Sequence, residues 1–404
     1  MLVSKTKRGE WFSLAEKHSQ EKLKMLRQKE SFFCPECGEQ LILKIGSKRI
    51  SHFAHKVGSE CTERYEGETE YHLRGKILLY KWLDSLGLQP ILEPYYHEIS
   101  QRPDISFVYG GVQFAIEYQC SIIPEELFMK RTSNYFQANM TPLWIMAGKN
   151  IKRKGSNKIS LSSFDYLFLS KSPTQQWRIP AFCPTTNTLI LMHSILPVTI
   201  KNILAKYSMI NLEMAQLTDL IDSPCNQPVR INDWQNEIRK VKNTIGAYGT
   251  RQNKFLQDLY KHSLIPSLLP PEIGLPVFNA PFIETSVLKW QSYLLIDVFS
   301  LQRPFSIKEV YHAVRKRVRK GDVKIRDFPL VKEGSDLAAV KEYIQLLVKV
   351  NYLKMVNHNY FQVARKQYAD NYMEQERMEI VFYQSYGKII SNSLIKYNDG
   401  NRPY

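Results

Sequence analysis

Residues 104–119 read Asp-Ile-Ser-Phe-Val-Tyr-Gly-Gly-Val-Gln-Phe-Ala-Ile-Glu-Tyr-Gln, and this stretch decides the fold around it. Two short runs rich in Ile, Val, Phe and Tyr flank Gly110 and Gly111. This pattern predicts two antiparallel strands joined by a two-residue turn. With the glycines in the turn, Asp104 faces Glu117 across the strands, where Cβ atoms lie about 4.5–5.5 Å apart.

The facing acids indicate a metal-dependent hydrolytic site. Like charges placed opposite each other destabilise a sheet unless something compensates them, and hard divalent cations such as magnesium bind carboxylate oxygens. Gln119 lies two residues after Glu117 and shares its face of the strand. The hairpin thus offers two carboxylates and an amide. The alternative is a solvated edge hairpin with incidental acids, and a slip of one residue in register would separate Asp104 from Glu117.

The charge of the chain favours polyanionic partners. Its 55 lysine and arginine residues against 39 acidic residues give a net charge of +16, which favours nucleic acid first and anionic membrane surfaces second. The alternative is a basic protein whose charge serves only solubility. The sequence has no apolar run of about 18 residues, which predicts no membrane span. Because the first residues lack the apolar core of a signal peptide, we expect a cytoplasmic protein.

A group of cysteine and histidine residues predicts an N-terminal zinc module. Cys34-Pro-Glu-Cys37 can present two thiolates to one ion, and His and Cys residues a strand and a turn later can complete a tetrahedron. We favour the ligand set Cys34, Cys37, His55 and Cys61, with His52 as the alternative ligand or as a supporting group. Zinc is the expected ion, because a closed set of sulfur and nitrogen ligands is typical of structural zinc. The alternative is free buried cysteines.

The segments around the hairpin predict the order α-β-β-β-α-β. Residues 68–86 form the clearest amphipathic helix. A first strand over 90–99 precedes the hairpin. A helix from 124 to about 138 follows it, and then a wholly apolar strand over 142–148. The apolar stripe of the first helix consists of Leu73, Ile77, Tyr80 and Leu83.

This order resembles the PD-(D/E)XK, or restriction-endonuclease-like, nuclease core, whose signature Pro103-Asp104 and Glu117-Tyr-Gln119 match. The chain as a whole is similar to the competence protein CoiA family. Taken together and in this order, the shared motifs are specific. They are Met1-Leu-Val, Phe33-Cys-Pro-x-Cys37, His52-Phe-Ala-His55, Tyr71-His-Leu-Arg-Gly-Lys76, Ile116-Glu-Tyr-Gln-Cys-Ser121, Arg131-Thr-x-x-Tyr135, Leu143-Trp-Ile145, residues 268–276 and Trp290-Gln-Ser-Tyr-Leu294.

The resemblance implies a function in natural genetic transformation. Proteins of this family act on incoming DNA and favour its recombination. The implied partners are single-stranded or branched DNA and a recombinase or other transformation proteins. In a nuclease with this core, magnesium or manganese bound by Asp104 and Glu117 would polarise the phosphodiester and lower the pKa of bound water. The implied reaction is phosphodiester hydrolysis.

Gln119 departs from the pattern of these nucleases, which usually carry at this position a lysine that orients or activates the attacking water. Glutamine can neither take a proton nor carry charge. Either a cation has moved to a neighbouring element, with Lys76, Lys130 and Arg131 as candidates, or catalysis is slow or lost. Arg131 is also a candidate DNA contact.

The same resemblance places the helix over 68–86 beside the hairpin. Glu70 is therefore a further candidate metal ligand. His72 and Lys76 are four residues apart and neighbours on one helix face, so they are candidates to orient water or phosphate. The alternative is an ordinary solvated face.

The segment 286–365 resembles a winged helix-turn-helix. Three predicted helices, over 286–300, 306–320 and 335–348, precede a predicted hairpin over 352–364. Such a module could lay a helix in a DNA groove. Basic residues of its second helix would contact phosphates without reading sequence: Arg315, Lys316, Arg317, Arg319 and Lys320. The alternative is a packing or protein-docking module with a solvated basic face.

We therefore expect a mixed α/β protein, α+β or α/β in class, of three parts. Residues 1–65 form the zinc module, 66–170 the nuclease-like core with an upper limit of about 225, and 226–404 a mostly helical domain. The leading hypothesis is a metal-dependent DNA-processing protein. Its main rival is a non-cleaving protein that holds DNA or recruits a recombinase with the same folds. A transcription regulator built on the C-terminal module would explain neither the cysteines nor the acid pair.

Overall fold

The computed structural model describes residues 1–46, 49–56, 58, 59, 61, 68–222, 228–301, 303–332, 334–364 and 368–395. The chain divides into two compact units. The first comprises Met1–Ile151, Ile179–Leu191 and Ser208–Ser223, and the second comprises Lys152–Arg178, Met192–Tyr207 and Pro224–Tyr404. The predicted boundaries at 65/66 and 225/226 lie outside the described residues, so the three-part division stays a prediction.

The helices mostly begin at polar residues that cap them. The Thr69 side chain accepts a hydrogen bond from the His72 amide at the start of α2, and Ser306 and Glu309 form a reciprocal capping box in α9, which satisfies amides that lack an intrahelical partner. The helices are α1 (Gln20–Lys29), α2 (Glu70–Ser85), α3 (Glu125–Gln137), α4 (Ser163–Tyr166), α5 (Leu217–Asp222), α6 (Ile231–Tyr248), α7 (Lys254–Lys261), α8 (Val287–Leu294), α9 (Ile307–Arg319), α10 (Asp336–Lys349) and α11 (Tyr372–Ser393).

The strands concentrate in the first half of the chain. They are β1 (Val3–Thr6), β2 (Trp11–Ser13), β3 (Phe32–Phe33), β4 (Gln40–Lys44), β5 (His52–His55), β6 (Ile91–Leu92), β7 (Ile105–Tyr109), β8 (Val112–Gln119), β9 (Met140–Ala147), β10 (Lys152–Arg153), β11 (Lys158–Ser160), β12 (Ser170–Lys171), β13 (Trp177–Cys183), β14 (Thr188–Pro197), β15 (Asn202–Asn211), β16 (Phe305–Ser306), β17 (Leu353–Asn357) and β18 (Tyr360–Val363).

A small antiparallel sheet, in the order β2-β1-β3-β4-β5, holds the N-terminal part of the first unit together. In β4, Leu41 and Leu43 are buried and their neighbours are exposed, the alternation expected of a strand with one solvated face. The Phe53 amide donates to the Met1 carbonyl at 2.9 Å, so β5 is tied to the segment just before β1.

The first unit contains a mixed sheet in which β9, β8, β7 and β6 are neighbours in this order. In the second unit, β10 pairs with β11, β11 pairs with β15, and β12 pairs with the first residues of β13. Within the first unit, β8 pairs antiparallel with β7 and parallel with β9. Helix α3 connects β8 to β9, because parallel neighbours need a crossover. The observed order α2-β6-β7-β8-α3-β9 is the predicted α-β-β-β-α-β order, and β6 is much shorter than the strand expected over 90–99.

Helix α2 lies close to β8. A Cβ atom on Gly75 would lie 2.0 Å from the Tyr118 ring, so only glycine fits at this contact. Leu73 and Leu83 are buried as predicted, whereas Ile77 and Tyr80 are only half-buried. The buried face of α2 also includes Lys76, which the apolar stripe did not predict. The buried residues of this helix are Leu73, Gly75, Lys76, Leu79, Trp82 and Leu83.

The second unit contains three helices and a small sheet in the order of a winged helix-turn-helix. Helices α8, α9 and α10 precede the β17–β18 hairpin, and β16 pairs with β18. Leu288, Tyr343 and Leu347 are fully buried in its core. Helices α6, α7 and α11 complete a mostly helical C-terminal region. The predicted mixed α/β class with a helical C-terminal region is confirmed.

Candidate functional site

The hairpin has the predicted register. Gly110 and Gly111 both have positive φ, 56° and 76°, as a type I′ turn requires. Ile105 pairs with Ile116, so Asp104 and Glu117 occupy the next facing positions. The Tyr118 amide donates to Asp104 Oδ2 at 2.8 Å, which fixes that carboxylate at the end of the strand pair.

Helix α3 supplies the partners of Glu117. The Arg131 guanidinium and the Tyr135 hydroxyl both donate to Glu117 Oε1, and Arg131 also donates to the Arg102 carbonyl at 3.2 Å. Burial raises the pKa of Glu117, and the nearby Asp104 charge acts in the same direction, whereas Arg131 opposes the rise. Glu117 is thus a clamped carboxyl group whose pKa lies above its usual range.

Lys76 is only 1% exposed, yet it carries a charge among three carboxylates. Its ammonium group donates to Glu68 and Glu93 and lies 3.4 Å from Asp104 Oδ1. Burial alone would lower the pKa of this lysine, but the carboxylates outweigh burial and raise it. Lys76 therefore stays protonated at neutral pH.

The same contacts control the acids. Burial would raise the pKa of Asp104, but the Lys76 ammonium and His72 outweigh it and hold that pKa well below its usual range. The pKa of Glu68 is lowered in the same way, against burial, by Lys76 and the N-terminal amine. Lys76 and Arg131 therefore offset charge that the sequence analysis assigned to a bound cation. The facing acids do not by themselves require a metal.

Three side chains bring their ligand atoms together beside Lys76. Glu68, His72 and Asp104 each offer an atom, and these atoms all lie within 4.8 Å of one another. His72 Nε2 lies 3.3 Å from Asp104 Oδ2, and His72 Nδ1 lies 3.8 Å from Glu68 Oε1. Two carboxylates and an imidazole at this spacing fit a divalent metal ion.

The acid that α2 and its N-terminal flank bring to the candidate site is Glu68 and not the predicted Glu70. Glu70 is exposed on the first turn of α2 and does not line the cleft described below. Glu68 precedes the capping residue Thr69, so the chain has not yet entered the helix and can turn its side chain toward Lys76. Helical periodicity could not have identified Glu68, because this residue lies before the first residue of the helix.

Glu93 is a second acid that the sequence analysis missed. It is buried, adopts positive φ (49°) and accepts hydrogen bonds from the Leu2 and Val3 amides at 2.9 and 3.2 Å. A non-glycine residue in this backbone region costs about 1–3 kcal/mol and persists only where the surroundings hold it. The two amides and Lys76 provide that restraint.

These residues line a cleft of about 240 Å³. Its acids are Glu68, Glu93, Asp104 and Glu117, and its cations are Lys76, Arg102 and Arg131, with His72 between them. Gln119 also faces the cleft, but its amide donates to the Ser121 carbonyl at 3.0 Å and to the Ser121 hydroxyl at 3.3 Å. Of the cations proposed to replace a lysine at 119, Lys76 and Arg131 line the cleft and the exposed Lys130 does not.

The cysteine cluster assembles as favoured from the sequence. The ligand atoms of Cys34, Cys37, His55 and Cys61 all lie within 4.8 Å of one another, a spacing and a donor set that fit one tetrahedral zinc ion. Gly38 has positive φ (74°) and donates to the Cys34 carbonyl, which closes the knuckle. His52 Nδ1 instead contacts the Ile50 carbonyl at 3.0 Å, so His52 lies outside the cluster.

The basic residues of α9 separate into two groups. Arg315, Lys316 and Arg319 are exposed, as is Lys320, which directly follows the helix. Arg317 is not, and its guanidinium contacts Asp297 at 2.7 Å, Asp322 at 3.1 Å and Asp258 at 3.3 Å. It also stacks over the Tyr293 ring. Three acids thus already hold the charge of Arg317 in this conformation, and the DNA contact expected of this residue stays a prediction.

Comparison with known proteins gives matches along most of the chain. The family model for the competence protein CoiA nuclease-like domain matches residues 68–224, that for the CoiA N-terminal domain matches 15–64, and that for the CoiA C-terminal domain matches 230–377. A competence protein CoiA from Bacillus subtilis (strain 168) is 30% identical over 348 residues, which cover 85% of this chain and 91% of the relative.

The chain belongs to the competence protein CoiA family. Its nuclease-like match contains Glu68, His72, Lys76, Asp104 and Glu117, and therefore the acidic cleft. The Leu2 and Val3 amides that hold Glu93 lie outside all three matched segments. Cys34, Cys37, His55 and Cys61 lie within the N-terminal match.

No solved structure matches this chain. Among the residues that the structure describes, none of the helices is both long and apolar enough to cross a membrane.

Proposed function

We propose that this CoiA-family protein is a metal-dependent DNA nuclease that processes incoming DNA during natural transformation and promotes its recombination in the cytoplasm. One observation carries the proposal: the ligand atoms of Glu68, His72 and Asp104 converge in a cleft that also holds a buried, protonated lysine. Phosphoryl chemistry needs such a combination, because a metal and a fixed cation stabilise charge on the phosphate.

The residues of the cleft have separable roles in this proposal. Glu68, His72 and Asp104 hold magnesium or manganese. When bound, the ion polarises the phosphodiester and lowers the pKa of water. Lys76, 3.4 Å from Asp104, supplies the positive charge that related nucleases carry at the position of Gln119. It orients phosphate or water without acting as the base, because its raised pKa keeps it protonated.

Glu117 contributes the second carboxylate of the nuclease signature. Arg131 and Tyr135 fix its orientation, so it can accept a hydrogen bond from the attacking water or join a second ion at the edge of the cleft. Arg131 thus acts first as a partner of Glu117 and only second as a DNA contact.

The N-terminal module and the C-terminal region would support this chemistry. Zinc held by Cys34, Cys37, His55 and Cys61 would be structural, since four protein ligands leave no open position. The exposed Arg315, Lys316, Arg319 and Lys320, on α9 and directly after it, would hold the DNA backbone in a sequence-independent manner. A recombinase is the proposed protein partner.

A second candidate function is a DNA-binding protein that no longer cleaves and recruits a recombinase. It is favoured by the pairing of Lys76 with Glu68 and Glu93, because an ammonium group in contact with both carboxylates competes with a metal for them. The Gln119 amide, occupied with Ser121, offers no replacement for the missing lysine.

Cleavage of labelled single-stranded, duplex and branched DNA with magnesium or manganese tests the proposal. Asp104→Asn and Glu117→Gln should each lower the rate by about 100-fold or more, because a bound metal supplies several kcal/mol of transition-state stabilisation. Glu70→Gln, an exposed acid on α2, is the matched control and should retain the rate. Absence of products from folded wild type that still binds DNA would favour the second candidate.

A further inference from the structure

An exposed apolar segment borders the acidic cleft. We call residues 121–127, which join β8 to the first turn of α3, the lip. Ser121, Ile123, Pro124 and Leu127 line the cleft. Ile122 is 72% exposed and Leu127 is 43% exposed. Exposed apolar surface rimmed by polar residues is a feature of interaction sites, and these two apolar side chains lie on a segment that lines a polar cleft.

The lip is held in place at both ends. Gln119 donates to the Ser121 carbonyl, and the Asn150 side chain donates to the Cys120 carbonyl at 3.3 Å. The Leu127 amide then donates to the Pro124 carbonyl at 3.1 Å as α3 begins. Ile122 is therefore presented to solvent by a fixed backbone. This gives Gln119 a structural task in place of the chemistry of the lysine it replaces.

Charge decides which part of a nucleic acid the lip could meet. Glu125 and Glu126 are exposed on the first turn of α3, within the lip, and would repel phosphate. The cations of the cleft are Lys76, Arg102 and Arg131, and none of them belongs to the lip. A strand whose phosphate lies against those cations would thus turn its bases, not its backbone, toward Ile122 and Leu127.

Base faces are available for such contact only when the bases are unpaired and unstacked. We infer that the lip is a base-contacting surface that makes the protein select single-stranded DNA over duplex, with Ile122 and Leu127 as the specificity-determining side chains. The inference rests on the proposed function in one respect only, that DNA enters the cleft. It does not depend on cleavage.

The test measures binding by the full chain in an Asp104→Asn background, which prevents turnover. The probes are a 12-nucleotide strand that carries 2-aminopurine and the blunt duplex of the same sequence. Ile122→Ser with Leu127→Ser should weaken single-strand binding by roughly 5–10-fold, the scale of one lost base contact, and should leave duplex binding unchanged. It should also abolish the 2-aminopurine fluorescence change. Val108→Ser, 58% exposed beside the hairpin turn and outside the cleft, is the control.

The outcomes separate the inference from the proposed nuclease activity. Equal weakening of strand and duplex binding, or no weakening of either, would overturn the base-contact inference, as would a background protein that binds neither probe. Absence of cleavage by wild type, together with a single-strand preference lost only in the lip variant, would refute the nuclease and leave the inference standing.

Discussion

The ammonium nitrogen of Lys76 lies 3.4 Å from Oδ1 of Asp104, and the same nitrogen donates to Glu68 and Glu93. A single buried cation thus serves three acids that come from three separate segments of the chain. Lys76 therefore links these segments. It is also the strongest candidate for the positive charge that related nucleases carry on a lysine at the position of Gln119.

Replacement of Lys76 by methionine should destabilise the protein strongly. Removal of one partner from a buried ion cluster typically costs about 3–5 kcal/mol, because the remaining charges lose compensation while they stay desolvated. Unfolding by denaturant, followed without added metal, measures the loss. Lys81→Met, an exposed lysine on the same helix, should stay within about 0.5 kcal/mol of wild type. If both variants lowered the free energy of unfolding only slightly, the buried ion cluster around Lys76 would be contradicted.

The zinc module should distinguish between its two histidines. His55→Ala should purify with much less zinc than wild type, since a structural site needs all four ligands. His52→Ala should keep the full zinc content, because His52 contacts the Ile50 carbonyl and not the cluster. Metal analysis of the purified variants gives the answer. Zinc lost from the His52 variant alone would reverse the assignment.

Two arginines only two residues apart on α9 should give opposite results. Arg317→Ala should lower the free energy of unfolding by about 3 kcal/mol or more, because Asp258, Asp297 and Asp322 would lose their common partner. Arg319→Ala should leave stability unchanged and weaken DNA binding, with a salt dependence reduced by about one phosphate contact. Calorimetry and binding at several salt concentrations measure the two effects. A weakened DNA affinity from a stable Arg317 variant would instead confirm the DNA contact predicted for that residue.

His193 should make stability fall in mild acid. Burial lowers the pKa of this histidine from 6.5 to about 4, with a contribution from nearby Arg178. Between these values the unfolded chain binds a proton that the folded chain does not. The lowered pKa therefore costs no stability above pH 6.5. As the pH falls from 6.5 to 4, the free energy of unfolding decreases by about 3 kcal/mol in total. Relative to His193→Leu, the free energy of unfolding of wild type should fall by about 3 kcal/mol between pH 7 and 4. A difference between the two proteins that stays constant over this range would contradict the shift.

The hairpin could be predicted from the sequence because its information is local. A Gly-Gly pair between two β-rich runs specifies both turn and register, and register alone places Asp104 opposite Glu117. The cysteine cluster could also be predicted from the sequence, because the types and spacing of metal ligands restrict the geometry of the site. The choice of His55 over His52 was a preference that the fold supports.

Glu68 and Glu93 could not be found in this way. Glu68 lies before the helix whose period was analysed, and Glu93 meets its donors Leu2 and Val3 some 90 residues away in the chain. The role of Arg317 was missed for a related reason. A basic run on a helix predicts a solvated face, and only the tertiary structure shows that one of its members turns toward Asp258, Asp297 and Asp322.

The hydrogen bonds from Leu2 and Val3 to Glu93 bear on how the protein can be dissected. A fragment that begins at residue 68 would contain the whole nuclease-like match and would still lack both amide donors of a buried carboxylate that contacts Lys76. The start of the matched domain therefore separates the cleft from two hydrogen bonds that hold one of its acids in place. A piece that keeps both donors must therefore include Leu2 and Val3, ahead of the first helix of the matched domain.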